Sequence, residues 1–246
     1  MKKIVYIIKL VVNIQNKRSY DLFILITVWY NYNGDTMKAI IFDLDGTLWE
    51  TLEQTYISTN EVVARYPFLK PITRNTIAQG MGYTVSECAE LYMPYLADDV
   101  RVPILLEILQ HDAEYLENHG GNVYPNLESV LKELREHYLL GIVSNCGAGY
   151  IESFLKSSHL DKYFIDFVAA GKADLSKSNA IRKLMHRNGI DKAIYVGDTL
   201  RDYQASEGAN IPFIHAKYGF NPNLNFNYSI KDIKDLPVLL SYLETI

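Results

Sequence analysis

Only two cysteines occur in this chain, Cys88 and Cys146. Their distance in sequence excludes a disulfide framework and any paired-cysteine metal site. The six histidines, His111, His119, His137, His159, His186 and His215, include no pair four apart on one helix face, so a two-histidine metal motif is absent as well. Positive charge is scarce too: 24 lysines and arginines against 29 acids leave a net charge of -5, which gives no electrostatic footprint for nucleic acid. No long basic run offers a membrane-surface patch. Two apolar runs near the start, Ile4 to Val12 and Leu22 to Tyr30, fall short of the roughly 20 residues that span a bilayer, and Lys9 interrupts the first. No small-residue cleavage site follows them, so a secretory signal is not expected. These absences leave a globular cytoplasmic protein whose partner is a small molecule, with neither nucleic acid nor membrane expected.

The 246 residues suffice for one core with a smaller inserted domain, and 48% hydrophobic with 22% charged residues suits a folded chain. Residues 1 to 36 fit least well. They read as an added or mis-started segment before Met37, against the competing readings of an interfacial anchor or an extra strand pair. Internal repeats and low-complexity tracts are not found.

The most informative feature is the apolar run Ile40-Ile41-Phe42, which ends at Asp43-Leu44-Asp45-Gly46-Thr47. A strand so apolar is most easily buried on both faces of a parallel sheet, and such sheets gather ligand chemistry beyond the carboxyl ends of their strands. Residues two apart on extended backbone share a side, so Asp43 and Asp45 can face one reacting centre while Leu44 enters the core. Gly46 then lets the chain turn. Two such carboxylates suit covalent catalysis: one attacks, and the other serves as acid to the leaving group and base to water. Their charge would repel an anionic substrate, which makes a hard divalent cation, Mg2+, the expected third party. Taken alone, Asp-Gly at a strand end is also an ordinary turn.

Two further apolar runs end in polar groups. Leu139 to Val143 stops at Ser144-Asn145, whose hydroxyl, amide and backbone donors suit phosphoryl oxygens, although both are also common turn residues. Ala193 to Val196 stops at Gly197-Asp198-Thr199, with Asp202 four residues beyond Asp198. A helix starting near Thr199 would bring Asp202 to the same cleft as Asp198, and two acids there suit a cation. Between these runs Lys177 opens a segment in which Ile181, Leu184 and Met185 keep helical spacing. From the rim its ammonium would act as a point charge between nucleophile and phosphate; a solvated surface lysine is the plainer alternative. Cys146 reads as a small packing residue.

Strand signals cluster around residues 38 to 43 and in the last two thirds of the chain. From Thr51 to about Gly120 apolar residues recur at helical spacing, as at Leu105, Ile108, Leu109, Tyr115 and Leu116, with Gly80-Met81-Gly82 as a break. After Leu127 helical and strand patterns alternate, as in a doubly wound sheet. Short strands are expected at Phe167 to Ala170 and Pro212 to Ile214, and a closing amphipathic helix over Ile233 to Leu243. The expected architecture is a Rossmann-like α/β core over 37–50 and 121–246, with an α-helical cap over 51–120 placed as a lid above Asp43.

The set resembles the haloacid dehalogenase superfamily of phosphohydrolases, within it the phosphoglycolate phosphatase-like group with a helical cap. Four motifs in order carry the match: Phe42-Asp43-Leu44-Asp45-Gly46-Thr47-Leu48, then Val143-Ser144-Asn145, then Lys177, then Val196-Gly197-Asp198-Thr199 with Asp202. The resemblance covers about Met37 to nearly Ile246, including Tyr124-Pro125-Asn126 before the second motif. It implies that Asp43 forms an aspartyl-phosphate, that Asp45 is acid and base, and that Ser144 and Lys177 steady the transferring group. Gly46, Thr47 and Asn145 are then expected beside substrate. Magnesium would be bound by Asp43, Asp198 and the backbone carbonyl of Asp45, with Asp202 close by or acting through water. Two departures stand out: Ser178 replaces the proline that commonly follows the third-motif lysine, with Lys172 nearby, and Trp49-Glu50-Thr51 follows Leu48 where the family often has a small residue and an aspartate. Asp45 itself disfavours dehalogenation, since expelling a halide needs no proton. The expected function is hydrolysis of a small phosphorylated metabolite, phosphoglycolate-like or a sugar phosphate; the alternatives are a phosphomutase of the β-phosphoglucomutase type and a non-catalytic binding protein on the same fold.

Overall fold

A computed structural model describes residues 38–173 and 175–243. The extension 1–36 and Met37 lie outside the described residues. Strand β1 (Lys38–Phe42) pairs in parallel on one side with β4 (Leu139–Ser144) and on the other with β6 (Lys192–Gly197). Beyond β4 lies β5 (Asp166–Ala169), and beyond β6 lie β7 (Phe213–Ala216) and β8 (Ser229–Ile230). All five pairings of this six-stranded sheet are parallel.

Residues 39–42 of β1 are all buried because both faces of the sheet are covered. Ile40 and Phe42 join one cluster with Leu140 and Ile142, under α5 (Leu127–Leu134), α6 (Tyr150–Ser158) and α10 (Leu236–Leu243). Ala39 and Ile41 join the opposite cluster, where Ala180, Ile181 and Leu184 of α8 (Lys177–Arg187) and Ala205 of α9 (Leu200–Ala209) pack. A short helix, α7 (Ala170–Ala173), follows β5. This is the doubly wound arrangement expected from the alternating patterns. The closing segment starts as a 3-10 turn over Ile233–Asp235 before α10.

The register decides what meets beyond the sheet. Phe42 stands opposite Ile142 in β4 and Val196 in β6, so the three adjacent strands run out together and release Asp43, Ser144 and Asp198 at one edge. The ligand edge of a parallel sheet is this one.

Between β1 and β4 the chain makes a two-stranded antiparallel ribbon, β2 (Trp49–Glu50) with β3 (Asn122–Val123), which the sequence pattern did not indicate. The ribbon brackets four helices: α1 (Leu52–Val63), α2 (Arg74–Gly80), α3 (Val85–Tyr92) and α4 (Asp98–His119). These helices share an apolar cluster of their own, including Val62, Ile77, Met93, Leu105 and Ile108. Among the described residues no helix is long and apolar enough to cross a membrane.

One acid lies inside this helical unit. Asp112 of α4 is buried, accepts a hydrogen bond from Ser58 of α1, and is pushed up to about 8 by burial, with Ser58 opposing and Asp45 reinforcing the shift. An unfolded chain releases that proton near the ordinary carboxylate value while the folded one retains it. Stability from this group is therefore fully present below about pH 4 and is lost as pH rises towards about 8. Asp112→Asn should remove this component, so its melting temperature relative to the parent should climb between pH 5 and 8; a pH-independent difference would refute the assignment.

Candidate active site

Four of the residues named from sequence meet in one buried place. Asp43, just past β1, and Lys177, the first residue of α8, are 2% and 7% exposed, and Asp198 and Asp202 are fully buried. Lys177 Nζ donates to Asp43 Oδ1 at 2.7 Å and to Asp202 Oδ1 at 2.5 Å. The position of Lys177 follows from local rules: Ser176 caps α8 by accepting from the Asn179 N–H, and Ile181 and Leu184 seat the helix on the sheet. Asp202 is fixed in the same way, since its Oδ2 accepts from the backbone and hydroxyl of Thr199 in a capping box that starts α9.

Asp43, Asp198 and Asp202 each offer a carboxylate oxygen within 4.8 Å of the others. Asp198 Oδ2 accepts from the Phe220 N–H at 2.7 Å, while its Oδ1 is buried without a hydrogen-bond partner. With all three ionised, the carboxylates against one ammonium leave two negative charges, and an orphaned buried carboxylate oxygen is costly. The donor set, hard oxygens around one point, therefore fits a divalent cation.

The electrostatics carry the same imprint. Burial, with the like charge of Asp202, pushes Asp43 up to about 7 despite Lys177. Burial, then Asp202 and Asp43, raises Asp198 well above the usual carboxylate range. Burial alone would lower Lys177, but Asp202 and Asp43 hold its ammonium well above the ordinary lysine value.

Asp45 is not a member of the carboxylate trio. Its Oδ1 accepts from Thr51 Oγ1 and from Tyr150 OH, each at 2.9 Å, and burial pushes its carboxyl up to about 6 against those two hydrogen bonds. Leu44 is fully buried in the core, as expected.

The remaining named residues take other places. Gly46 has φ 75°, and a Cβ there would lie 2.3 Å from Asp198 Oδ2. Thr47 is buried, its Oγ1 unpartnered and its carbonyl accepting from Tyr218 OH at 2.9 Å. Ser144 is buried at the end of β4. Asn145 donates its side-chain amide to the Gly82 carbonyl at 2.9 Å, so the Gly80-Met81-Gly82 break sits on the rim. Beside it Arg201 of α9 pairs with Glu87 at 2.9 Å and lies 4.2 Å from the Tyr83 ring centre, a second tie between the sheet domain and the helical unit. The Lys172 side chain lies outside the described residues.

Sequence reasoning missed Thr51 and Tyr150 at Asp45, and Gly219 and Phe220 at Asp198. Only Gly219 carried any signal, as a glycine soon after a strand: a Cβ there would meet the Gly46 carbonyl at 2.3 Å and Asp198 Cβ at 2.4 Å.

The parallel sheet presents its acidic edge where α/β enzymes gather their ligand chemistry. A family model for haloacid dehalogenase-like hydrolases matches residues 40–216. A phosphoglycolate phosphatase of Synechococcus elongatus is 30% identical over 188 residues, covering 75% of this chain and 86% of the relative. Among solved structures, a predicted phosphoglycolate phosphatase from Haemophilus somnus superposes with TM-score 0.70 at 20% identity, over 83% of this chain and 98% of that one. A β-phosphoglucomutase from Clostridium difficile gives 0.68 at 16% identity, over 85% and 99%. The chain belongs to the haloacid dehalogenase-like hydrolases. Within them it is a phosphoglycolate phosphatase-like enzyme, a phosphatase.

The crowding around Asp198 is directly testable. Gly219→Ala must displace Gly46 or Asp198, and overpacking of this kind costs about 1–3 kcal/mol. Urea unfolding should show that loss together with a fall in turnover; parent-like stability would mean that the loop yields freely.

Proposed function

We propose that this phosphatase hydrolyses a small phosphorylated metabolite, phosphoglycolate-like or a sugar phosphate, with Mg2+ and through an aspartyl-phosphate on Asp43. The observation that carries this reading is the convergence of Asp43, Lys177, Asp198 and Asp202 in one buried pocket, with Asp45 beside it in a different environment. A carboxylate oxygen of Asp43 attacks phosphorus, and the bond from phosphorus to the leaving oxygen breaks as Asp45 protonates that oxygen. Water then attacks phosphorus while Asp45 takes its proton, the acyl-phosphate bond breaks, Asp43 is regenerated and inorganic phosphate is released. Lys177 offsets charge between the nucleophile and the phosphoryl oxygens, with Ser144 at the adjoining strand end. Magnesium, held by Asp43, Asp198 and the Asp45 backbone carbonyl with Asp202 near or through water, would supply the positive charge that lets phosphate approach an acidic pocket.

Helices α1–α4 act in this reading as a cap over the site, contacting the rim through Gly82 and Glu87. A value of about 6 for Asp45 suits a group that must both give and take a proton near neutrality. The phosphomutase alternative shares this chemistry and differs in retaining the phosphoryl group for a second hydroxyl. A cytoplasmic setting agrees with the unpaired cysteines Cys88 and Cys146.

Asp43→Asn should abolish release of phosphate from a panel of phosphorylated metabolites. Asp45→Asn should lower kcat/KM on alkyl phosphates by roughly 10²–10⁴, a general acid's share, and spare aryl phosphates. Unchanged turnover in either variant would exclude the mechanism, and isomerised sugar phosphate in place of free phosphate would favour the mutase.

Metal binding has a readout independent of activity. Mg2+ at about 100 times its Kd should stabilise the parent by about 2.7 kcal/mol in thermal unfolding. Asp198→Asn should lose that response; an equal Mg2+ shift in both proteins would place the ion elsewhere.

A further inference from the structure

Asp45 is held by a residue that belongs to none of the four motifs. Tyr150 opens α6, 105 positions along the chain from Asp45, and its hydroxyl donates to Asp45 Oδ1 at 2.9 Å. Thr51 Oγ1 reaches the same oxygen at 2.9 Å, and the two hydroxyls stand 3.0 Å apart. Tyr150 is buried, with its ring set edge-on against Trp49 at 5.7 Å between centroids and 80° between planes. Trp49 is itself fully buried and packs on Phe154 at 5.1 Å. The phenol therefore has little freedom to leave the carboxylate.

A carboxylate oxygen has two lone-pair positions in its plane. With both filled by hydroxyl donors, Oδ1 has no position left for a covalent proton. We propose that Tyr150 is a positioning residue for proton transfer: together with Thr51 it saturates Oδ1 of Asp45, so that the transferable proton resides on Oδ2. This rests on the reading of Asp45 as acid and base. In the first step Oδ2–H gives its proton to the leaving oxygen as the phosphorus–oxygen bond breaks and the electron pair stays with that oxygen. In the second, Oδ2 accepts a proton from water as water's oxygen bonds to phosphorus and Asp43 departs. Tyr150 gains and loses no proton in either step; it selects which oxygen works. A tyrosine that merely packed would affect all substrates alike, whereas one that aims the acid matters to the first step, the one kcat/KM reports, only when the leaving group needs a proton; the second step is common to all substrates.

The test compares an alkyl phosphate with 4-nitrophenyl phosphate, whose leaving group departs without help, using the full chain with Mg2+. Tyr150→Phe keeps the ring against Trp49 and removes the hydroxyl. Its kcat/KM on the alkyl phosphate should fall on the order of 10-fold, part of the roughly 10²–10⁴ a general acid contributes, with KM within about twofold of the parent. The aryl substrate should lose less than about threefold in kcat/KM, since its departure draws little on the acid. Asp45→Asn, assayed in parallel, should show the same selectivity more strongly. If Asp45→Asn is selective and Tyr150→Phe slows both substrates equally or neither, the positioning role is overturned and the acid assignment stands. If Asp45→Asn shows no selectivity, both fall. Should Tyr150→Phe fail to give a cooperative melting curve, Thr51→Val, which removes the other donor, carries the test: selective loss supports saturation of Oδ1, and uniform loss overturns it.

Discussion

A single ammonium among buried carboxylates is the constraint from which the architecture of this site follows. Lys177 touches Asp43 and Asp202 in a space from which water is largely excluded. Removing one partner from such a network leaves a charge that neither solvent nor protein compensates, at a cost of about 3–5 kcal/mol, whereas apolar residues of similar size could often fill the same volume at no loss. Stability alone therefore gives no reason to keep four ionisable groups here, and phosphoryl transfer gives each of them one. Burial first, and the neighbouring carboxylates second, raise the proton affinities of Asp43 and Asp198, and that combination also says what else the site admits. It favours a cation before it can tolerate a phosphate.

The sheet makes this concentration of charge attainable. Because β1 lies between β4 and β6, three chain segments far apart in sequence end side by side, and the rigid ladder aligns them. Helices α8 and α9 then bring Lys177 and Asp202 by their first turns, where capping fixes them to the backbone. The loops must approach unusually closely. Gly46 and Gly219 meet across Asp198 with no room for a methyl group, so this carboxylate is held between two backbones.

The parts of this site that sequence reveals are those tied to periodic structure. Asp43, Ser144 and Asp198 each terminate an apolar run, Lys177 opens a helix whose apolar residues repeat at helical spacing, and Asp202 falls in the first turn of a helix starting near Thr199, so pattern and chemistry coincide. Asn145 was legible as a rim residue, but its partner, the Gly82 carbonyl, depends on how the helical unit sits on the core. The β2–β3 ribbon escaped because two residues per strand make no pattern. Tyr150 escaped because an aromatic beside Ile151 and Phe154 reads as packing, which its ring indeed provides, and only the position of its hydroxyl tells otherwise. Phe220 acts through its backbone N–H, a donor that every residue except proline carries.

The two carboxylates of the first motif illustrate how environment assigns roles to identical groups. Asp43 is bound by an ammonium, a charge-assisted contact that favours the anion and suits a nucleophile. Asp45 is bound by two neutral hydroxyls, which orient it without forcing it to remain charged. Were a lysine in place of Tyr150, the acid would be locked as carboxylate and could not protonate a leaving group. Were Lys177 a tyrosine, Asp43 would lose the counter-charge that opposes the effect of burial. In the proposed mechanism the division of labour between attack and proton transfer thus lies in the donors, one charged and two neutral, more than in the acids themselves.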